Sequence, residues 1–410
     1  MLTYLLRRLL LMIPTLLGIT IVTFAVMVLS PGGISAQSLI EGASMKPQEK
    51  AALEAYYNKR YGLDKPAPVQ YLRWLNNVSP IGFTQDEQGH YSGFSLLKGM
   101  DLGESFHYGR PVADILAERI PITLLLNVIT IPLIYVIAIV VGVKSATDRG
   151  GRFDVSSGVS MLALWSVPTM LAGVLLLGFF ANTQYLQWFP TAGLSSRAAQ
   201  DMPFLPHWGS LWDVLKVFAG MLSGMALVSL LTRVIRLQGI WLASLLLLGA
   251  MVGIGIGMQF AHDGFVRGFL FDRIWHLVLP IICLSYAGFA ALAKLTRTSV
   301  LENLHSDYAR TARAKGLEEH EVLWKHVFRN SLLPLITVSA GLLPSLLGGS
   351  LIVENIFSIN GMGQLAIESV KFRDRELVLS ITWISGFLTL IGYLIADFCY
   401  TLADPRVTYD

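Results

Sequence analysis

The sequence predicts an all-α polytopic membrane protein with about eight transmembrane helices and a small extracytoplasmic segment. Three observations predict it. Apolar residues make up 53% of the chain and charged residues 14%, for a mean hydropathy of +0.57. The apolar residues gather into runs of about 20, the length that crosses a hydrocarbon core. Lysine and arginine cluster between alternate runs, as cytoplasmic loops do. A net charge of +3 gives nucleic-acid binding no support.

The first span is Leu9–Leu29, with Arg7 and Arg8 holding its start inside. It is longer than a signal-peptide core of roughly 7–15 residues, so it reads as an uncleaved helix. Pro31-Gly32-Gly33 ends it. Residues 31–120 form the extracytoplasmic segment. It holds a polar helix over Met45–Arg60, a break at Leu63-Asp-Lys-Pro66, a short helix from Val69 and a hairpin or loop over Thr84–Ser92. Asp114–Glu118 reads as a helix lying at the membrane surface before Pro121.

Residues 121–194 carry the second and third spans, Ile122–Val143 and Val155–Phe180, the latter with a kink at Pro168. Trp188, Trp208 and Trp212 suggest an interfacial belt. Residues 195–272 hold two more runs, Leu211–Leu231 and Gly239–Phe260, joined through Arg233 and Arg236. Gly220 with Gly224, and Gly253 with Gly257, have the spacing that lets helices approach closely, although glycine is also common in membrane helices. Residues 273–410 contain the spans Trp275–Leu295, Leu332–Val353 and Leu377–Leu402. Both termini then lie in the cytoplasm. Inside loops hold roughly fifteen Lys/Arg against roughly seven in short outside regions.

Within the last block, residues 297–331 are polar, and Ser306–Asn330 is patterned. Ser306 or Asp307 can cap a helix, Ala309, Thr311, Ala312 and Ala314 make it slim, and Gly316 ends it. A second helix follows, with Glu318, Glu319 and Glu321 early, Lys325, His326 and Arg329 late, and Pro334 at its end or kink. Physics alone leaves an amphipathic segment on anionic lipid as an equal reading. The seventh span, rich in breakers, suits a wall of protein or a water-filled cavity, so Pro344, Gly348, Gly349 and Glu354 are pathway or gate candidates. For Glu354 a structural cap is equally open. Asp397 expects a basic partner.

No Walker phosphate loop, no G-x-S-x-G elbow and no disulfide framework is present; Cys283 and Cys399 sit in apolar runs. His320-Glu321 misses the H-E-x-x-H zinc motif because residue 324 is tryptophan. A membrane enzyme therefore has no catalytic constellation. A self-contained secondary transporter or channel lacks inverted repeats and clearly embedded ionisable residues.

Tyr308-Ala-Arg-Thr-Ala-Arg-Ala-Lys-Gly316 and Arg329-Asn-Ser-Leu-Leu-Pro334 resemble the coupling loop of the dipeptide/oligopeptide ABC-importer permease family. So do Leu6-Arg-Arg-Leu-Leu-Leu-Met-Ile-Pro-Thr-Leu16, Gly62-Leu-Asp-Lys-Pro66, Asp101-Leu-Gly103-Glu-Ser105, Ile356-Phe-Ser-Ile-Asn-Gly-Met-Gly363 and Asp404-Pro-Arg406, in order along most of the chain. The resemblance implies a permease subunit of a bacterial inner-membrane importer with several expected parts. These are a six-helix core, a second related permease, two cytoplasmic ATPase domains that use ATP, and an extracytoplasmic solute-binding protein. No cofactor is expected on this chain, membrane lipid surrounds it, and a short peptide is the expected substrate. Asp307, Tyr308, Arg310, Thr311, Ala312, Arg313, Ala314, Lys315 and Gly316 would form the ATPase-coupling helix, small residues against the partner and basic ones paired with its acids. Three departures stand out: Arg310-Thr311-Ala312 where the general motif has Glu-Ala-Ala, Gly32-Gly33 where Gly-Asp is frequent, and residues 195–272, which look like an inserted hairpin.

Overall fold

The computed structural model describes residues 2–30, 47–85, 91–205, 207–208, 211–235, 240–260, 265–266, 268–347 and 351–403. Gly32, Gly33, Arg236, Gly348, Gly349 and Asp404-Pro-Arg406 lie outside them. In chain order the elements are α1 (Leu2–Leu29), α2 (Pro47–Tyr61), α3 (Ala67–Val78), β1 (Gly82–Gln85), β2 (Tyr91–Ser95), α4 (Val112–Thr147), α5 (Arg152–Ser166) and α6 (Thr169–Phe180). Then come α7 (Arg197–Gln200), β3 (His207–Trp208), α8 (Leu211–Ile235), α9 (Ile240–Phe260), β4 (Phe265–Val266) and α10 (Gly268–Leu304). The chain ends with α11 (Asp307–Ala314), α12 (Glu319–Glu321), a π-helix (Val322–Phe328), α13 (Arg329–Leu347), α14 (Leu351–Ile356), α15 (Met362–Lys371) and α16 (Arg375–Ala403).

Among the described residues, five helices are long and apolar enough to cross a membrane, and α5 with α6 makes six if counted as one span. That pair bends by 95°, with Val167 and Pro168 in the break. Proline restricts the residue before it and lacks the donor that would continue the ladder. The chain divides into two compact units, residues 1–179 with 280–410, and residues 180–279.

In the larger unit, α3 follows the break at Leu63–Pro66 and buries Trp74 and Val78 against Phe24 of α1 and Leu379 of α16. The expected hairpin is β1 paired antiparallel with β2, Phe83 opposite Phe94. Asp114–Glu118 is not a separate surface helix. It is the start of the 36-residue α4, which runs through Pro121 and Pro132. Packing outweighs the missing proline donor: Val112, Ile115 and Leu116 are buried against Met362, Leu365 and Leu377. Arg375 is 1% exposed; it pairs with Glu376 and donates to Gln70 Oε1 at 3.0 Å. Gln70 donates in turn to the Leu63 and Lys65 carbonyls, which fixes the break. Asp397 has the expected basic partner, Arg8, at 2.9 Å.

Helices α4 and the later part of α10 meet at glycine. A Cβ on Gly142 would lie 2.8 Å from the Ala293 carbonyl oxygen, and one on Gly288 would lie 2.8 Å from Ile134 Cδ1. Leu335 of α13 closes this core with Ile134, Ala138 and Leu292.

In the smaller unit, α8 and α9 form a tight antiparallel hairpin. A Cβ on Gly220, Gly224 or Gly253 would collide with the facing helix backbone, and one on Gly257 would lie 2.8 Å from Val217 Cα. The spacing therefore works as a packing face, joined by Gly249, which the spacing alone did not single out. In the same unit the buried Asp272 accepts from the Ser196 N–H at 2.7 Å and the Ser196 hydroxyl at 3.0 Å.

The polar loop and its anchor: candidate functional site

Ser306 has the extended backbone of a cap, and its carbonyl accepts from Arg310 N–H at 3.1 Å. Its hydroxyl turns back to the Asn303 carbonyl at 2.6 Å, so the side-chain cap that the sequence suggested is not made. One face of α11 is apolar and small. Ala309 and Ala312 are buried with Val143, Ala146, Val300, Val322 and Val327. Alanine lets the helix lie close on α4, α10 and the π-helix, since any longer side chain would hold it off. Asp307, Tyr308, Arg310, Thr311, Ala314, Lys315 and Gly316 are exposed.

This corrects one expectation. Ala312 is not offered to a partner, because it faces the chain's own core. Arg313 is also engaged internally: it donates to Glu319 at 2.8 Å and to the Leu304 carbonyl at 3.1 Å. That bond holds the Glu319 carboxyl below its ordinary range, and Lys325 does the same for Glu321.

The end of α11 is a glycine stop. Gly316 has φ +81° with nothing near a would-be Cβ, so glycine is required for its backbone and not for space. Gly316 N–H donates to the Arg313 carbonyl at 2.9 Å and Leu317 N–H to the Ala312 carbonyl at 3.4 Å. These are the two bonds of a Schellman turn, and Leu317 packs on the same cluster as Ala312.

Of the two readings of Pro334, an end or a kink, the second helix does not end there. Residues 319–347 are continuously helical, α12 passing through the π-helix into α13. The wide π turns suit a stretch whose Val322 and Val327 must both face the core, and such turns are frequent at functional sites.

A polar clasp that the sequence did not reveal joins the two ends of the loop. Tyr308 donates to the Asn303 side-chain oxygen. Asn303 Nδ2 donates to the Ser299 carbonyl at 2.9 Å and to the Ser331 hydroxyl at 3.0 Å. Ser299 donates to the Ser331 carbonyl at 3.1 Å. The clasp thus ties α11 to α10 and α13 together. Next to it, Arg297 grips Asp154 with two bonds, one of 2.7 Å, which pins α5 to α10. A cavity of about 500 Å³ beside α11 is lined by Arg149, His305, Arg313, Glu319 and His320.

Of the other candidates, Pro344 lies within α13. Glu354 is 0% exposed. Its carboxylate accepts from Gly363 N–H at 2.7 Å, Gln364 N–H at 3.1 Å and Thr123 hydroxyl at 3.1 Å. Those amides are free donors in the first turn of α15, so Glu354 caps that helix from another element. Thr123 itself accepts from Met362 N–H at 2.8 Å. Among the described residues, no group of three or more His, Cys, Asp or Glu is arranged to hold a metal ion.

The fold and site define a multi-pass helical membrane protein with a buttressed polar loop. Comparison with known proteins gives the family. Residues 1–127 match the model of the N-terminal part of binding-protein-dependent transport system membrane components. Residues 135–409 match that of the binding-protein-dependent transport system inner membrane component. The chain belongs to this family. It is 32% identical over 409 residues, covering all of both chains, to the oligopeptide transport system permease protein AppB of Bacillus subtilis. It is 29% identical to the peptidoglycan transport system permease protein YejB of Agrobacterium fabrum, over 99% of this chain and 98% of that one. It is 27% identical to the inner membrane ABC transporter permease protein YejB of Escherichia coli, over 99% of each. The chain is thus a multi-pass permease subunit of an ABC importer, working with other transporter components, and is not itself an enzyme.

Proposed function

We propose that this subunit forms half of a pathway for di- and oligopeptides and takes its driving force through the exposed face of α11. The substrate reading is supported by the full-length similarity to a relative named for oligopeptide transport. The coupling reading is carried by one observation: α11 shows a polar face to solvent, while its buried alanines pack on α4, α10 and the π-helix and Tyr308 joins the Asn303 clasp to α13.

The partners are a second, related permease, two cytoplasmic ATPase domains that consume ATP, and a solute-binding protein outside. Both termini are cytoplasmic, which the excess of Lys/Arg beside alternate spans supports. ATPase closure presses on Asp307, Tyr308, Arg310, Thr311, Ala314 and Lys315. The Schellman turn and the Asn303 clasp carry the push into α13, where Pro344 lets the helix yield along the pathway; Gly348 and Gly349, outside the described residues, are the further gate candidates. Glu354 holds the outer end of that path in place. Residues 195–272 are an added hairpin outside the six-helix core.

The test is uptake of labelled peptides into vesicles holding the full transporter. Peptide accumulation that needs ATP, the binding protein and this subunit supports the reading. Accumulation of a nickel chelate or a sugar, with peptides ignored, overturns the substrate assignment.

A further inference from the structure

A cavity of about 570 Å³ opens between α4, α5 and α10 in the larger unit. Its walls are apolar, among them Val141, Val155, Met161, Leu162 and Trp165. Gly158, Ala290 and Ala293 keep it open by being small. Leu162 and Trp165 are more than half exposed, so the slot opens sideways where a bilayer would lie.

One end of the slot is polar, gathering Ser145, Ser157, Asp154, Lys294 and Arg297. Ser145 and Ser157 bond each other at 2.7 Å. Asp154 and Arg297 neutralise each other. Lys294 is exposed and makes no ion pair among the described residues, which leaves one positive charge at the mouth. Arg149 and Arg152, also exposed, stand in the adjoining turn. The polar end borders loop 297–331, where span meets water, and the apolar walls run from it towards the hydrocarbon.

The geometry points to a binding site for one anionic phospholipid from the leaflet that borders the polar loop. An acyl chain fills the slot beside Trp165, and the headgroup phosphate meets Lys294, with Arg149 and Arg152 close behind. A lipid supplies both halves that the site asks for, an apolar chain and a negative head, at the depth where each is needed. A neutral lipid fits the walls and leaves the cation unmatched. The lipid would brace α5 against α10 beside the Asp154–Arg297 pair.

The experiment uses the assembled transporter in nanodiscs and reads tryptophan fluorescence. Phosphatidylglycerol brominated on its acyl chains is compared with brominated phosphatidylcholine, and inorganic phosphate is a third arm. The Trp165 signal is the difference between the native chain and Trp165→Phe. Brominated phosphatidylglycerol should quench it at least threefold more than brominated phosphatidylcholine at equal fraction, and Lys294→Glu should erase the preference. Equal quenching by the two lipids overturns the site. So does absence of quenching in the assembled transporter, which means that a protein partner covers the slot, or loss of the preference with free phosphate alone, which marks a simple anion site. Lys294→Arg should keep the preference, and that separates lost charge from lost folding.

Discussion

The Asn303 side-chain amide donates to the Ser331 hydroxyl at 3.0 Å, so the helix that enters the polar loop is tied to the helix that leaves it. Ser331 is 1% exposed and also donates to the Val327 carbonyl. Tyr308 of α11 reaches the other end of the same Asn303 side chain. Three helices therefore share one side chain.

Asn303→Ala should loosen this clasp at a stability cost of about 1 kcal/mol, the ordinary net worth of a hydrogen bond. Uptake should fall several-fold with membrane insertion and ATPase binding intact. The check is uptake per assembled complex, alongside the amount of ATPase that co-purifies. Uptake at the native rate would mean that the clasp is structural only.

Gly316→Ala should cost about 1–2 kcal/mol, because an L side chain at φ +81° is strained although space is open. The local consequence is a frayed end to α11. Faster amide exchange at Leu317 and lowered transport are expected, with thermal stability of the spans nearly unchanged.

Glu354→Ala should strip the cap from α15 and leave buried N–H groups unpaired, at about 1–3 kcal/mol. Glu354→Gln keeps an acceptor and should recover much of that loss. Denaturation midpoints of the purified protein check the order native, Gln, Ala. A Gln variant as stable as native but dead in uptake would assign the carboxylate to the pathway.

Gly224→Leu should force α8 and α9 apart, since a Cβ alone already collides with the facing backbone. Overpacking of this kind costs about 1–3 kcal/mol. A lower thermal midpoint with near-native uptake is expected if the hairpin lies outside the transport core. Amide exchange along α8 and α9 should be faster in the variant than in the native chain.

The Arg313–Glu319 bond holds the Glu319 carboxyl below its ordinary range. A carboxylate lowered by folding contributes above its unfolded pKa and loses that contribution as pH falls through the folded value. Loop protection against protease should thus be constant from neutral pH down to about pH 5 and decline below about pH 4. Arg313→Gln should remove the step.

The membrane character, most spans, the kink at Pro168 and the stop at Gly316 were legible because each rests on local chemistry: run length, a missing donor, a positive φ. Long-range pairing was not. Asn303 and Ser331 are 28 residues apart, and nothing in either neighbourhood names the other. Glu354 offered two readings until Thr123, 231 residues away, appeared on its carboxylate. Pro121 misled in the same way, since packing carries α4 through it. The face of α11 was half legible. Ala312 looked like room for a partner, but it packs on the chain's own valines, while Ala314 stays exposed.

The coupling claim is tested most directly by placing a photo-cross-linker at Thr311 of α11 or at Lys315, its C-cap residue, both exposed, in the assembled transporter. Val159, exposed on an apolar face of α5, serves as control. The account predicts a cross-link to a Walker-motif ATPase from Lys315 and Thr311 and none from Val159, with the Lys315 yield changing between nucleotide-free and ATP-bound states. A transporter that takes up substrate while neither α11 position ever captures the ATPase would contradict it.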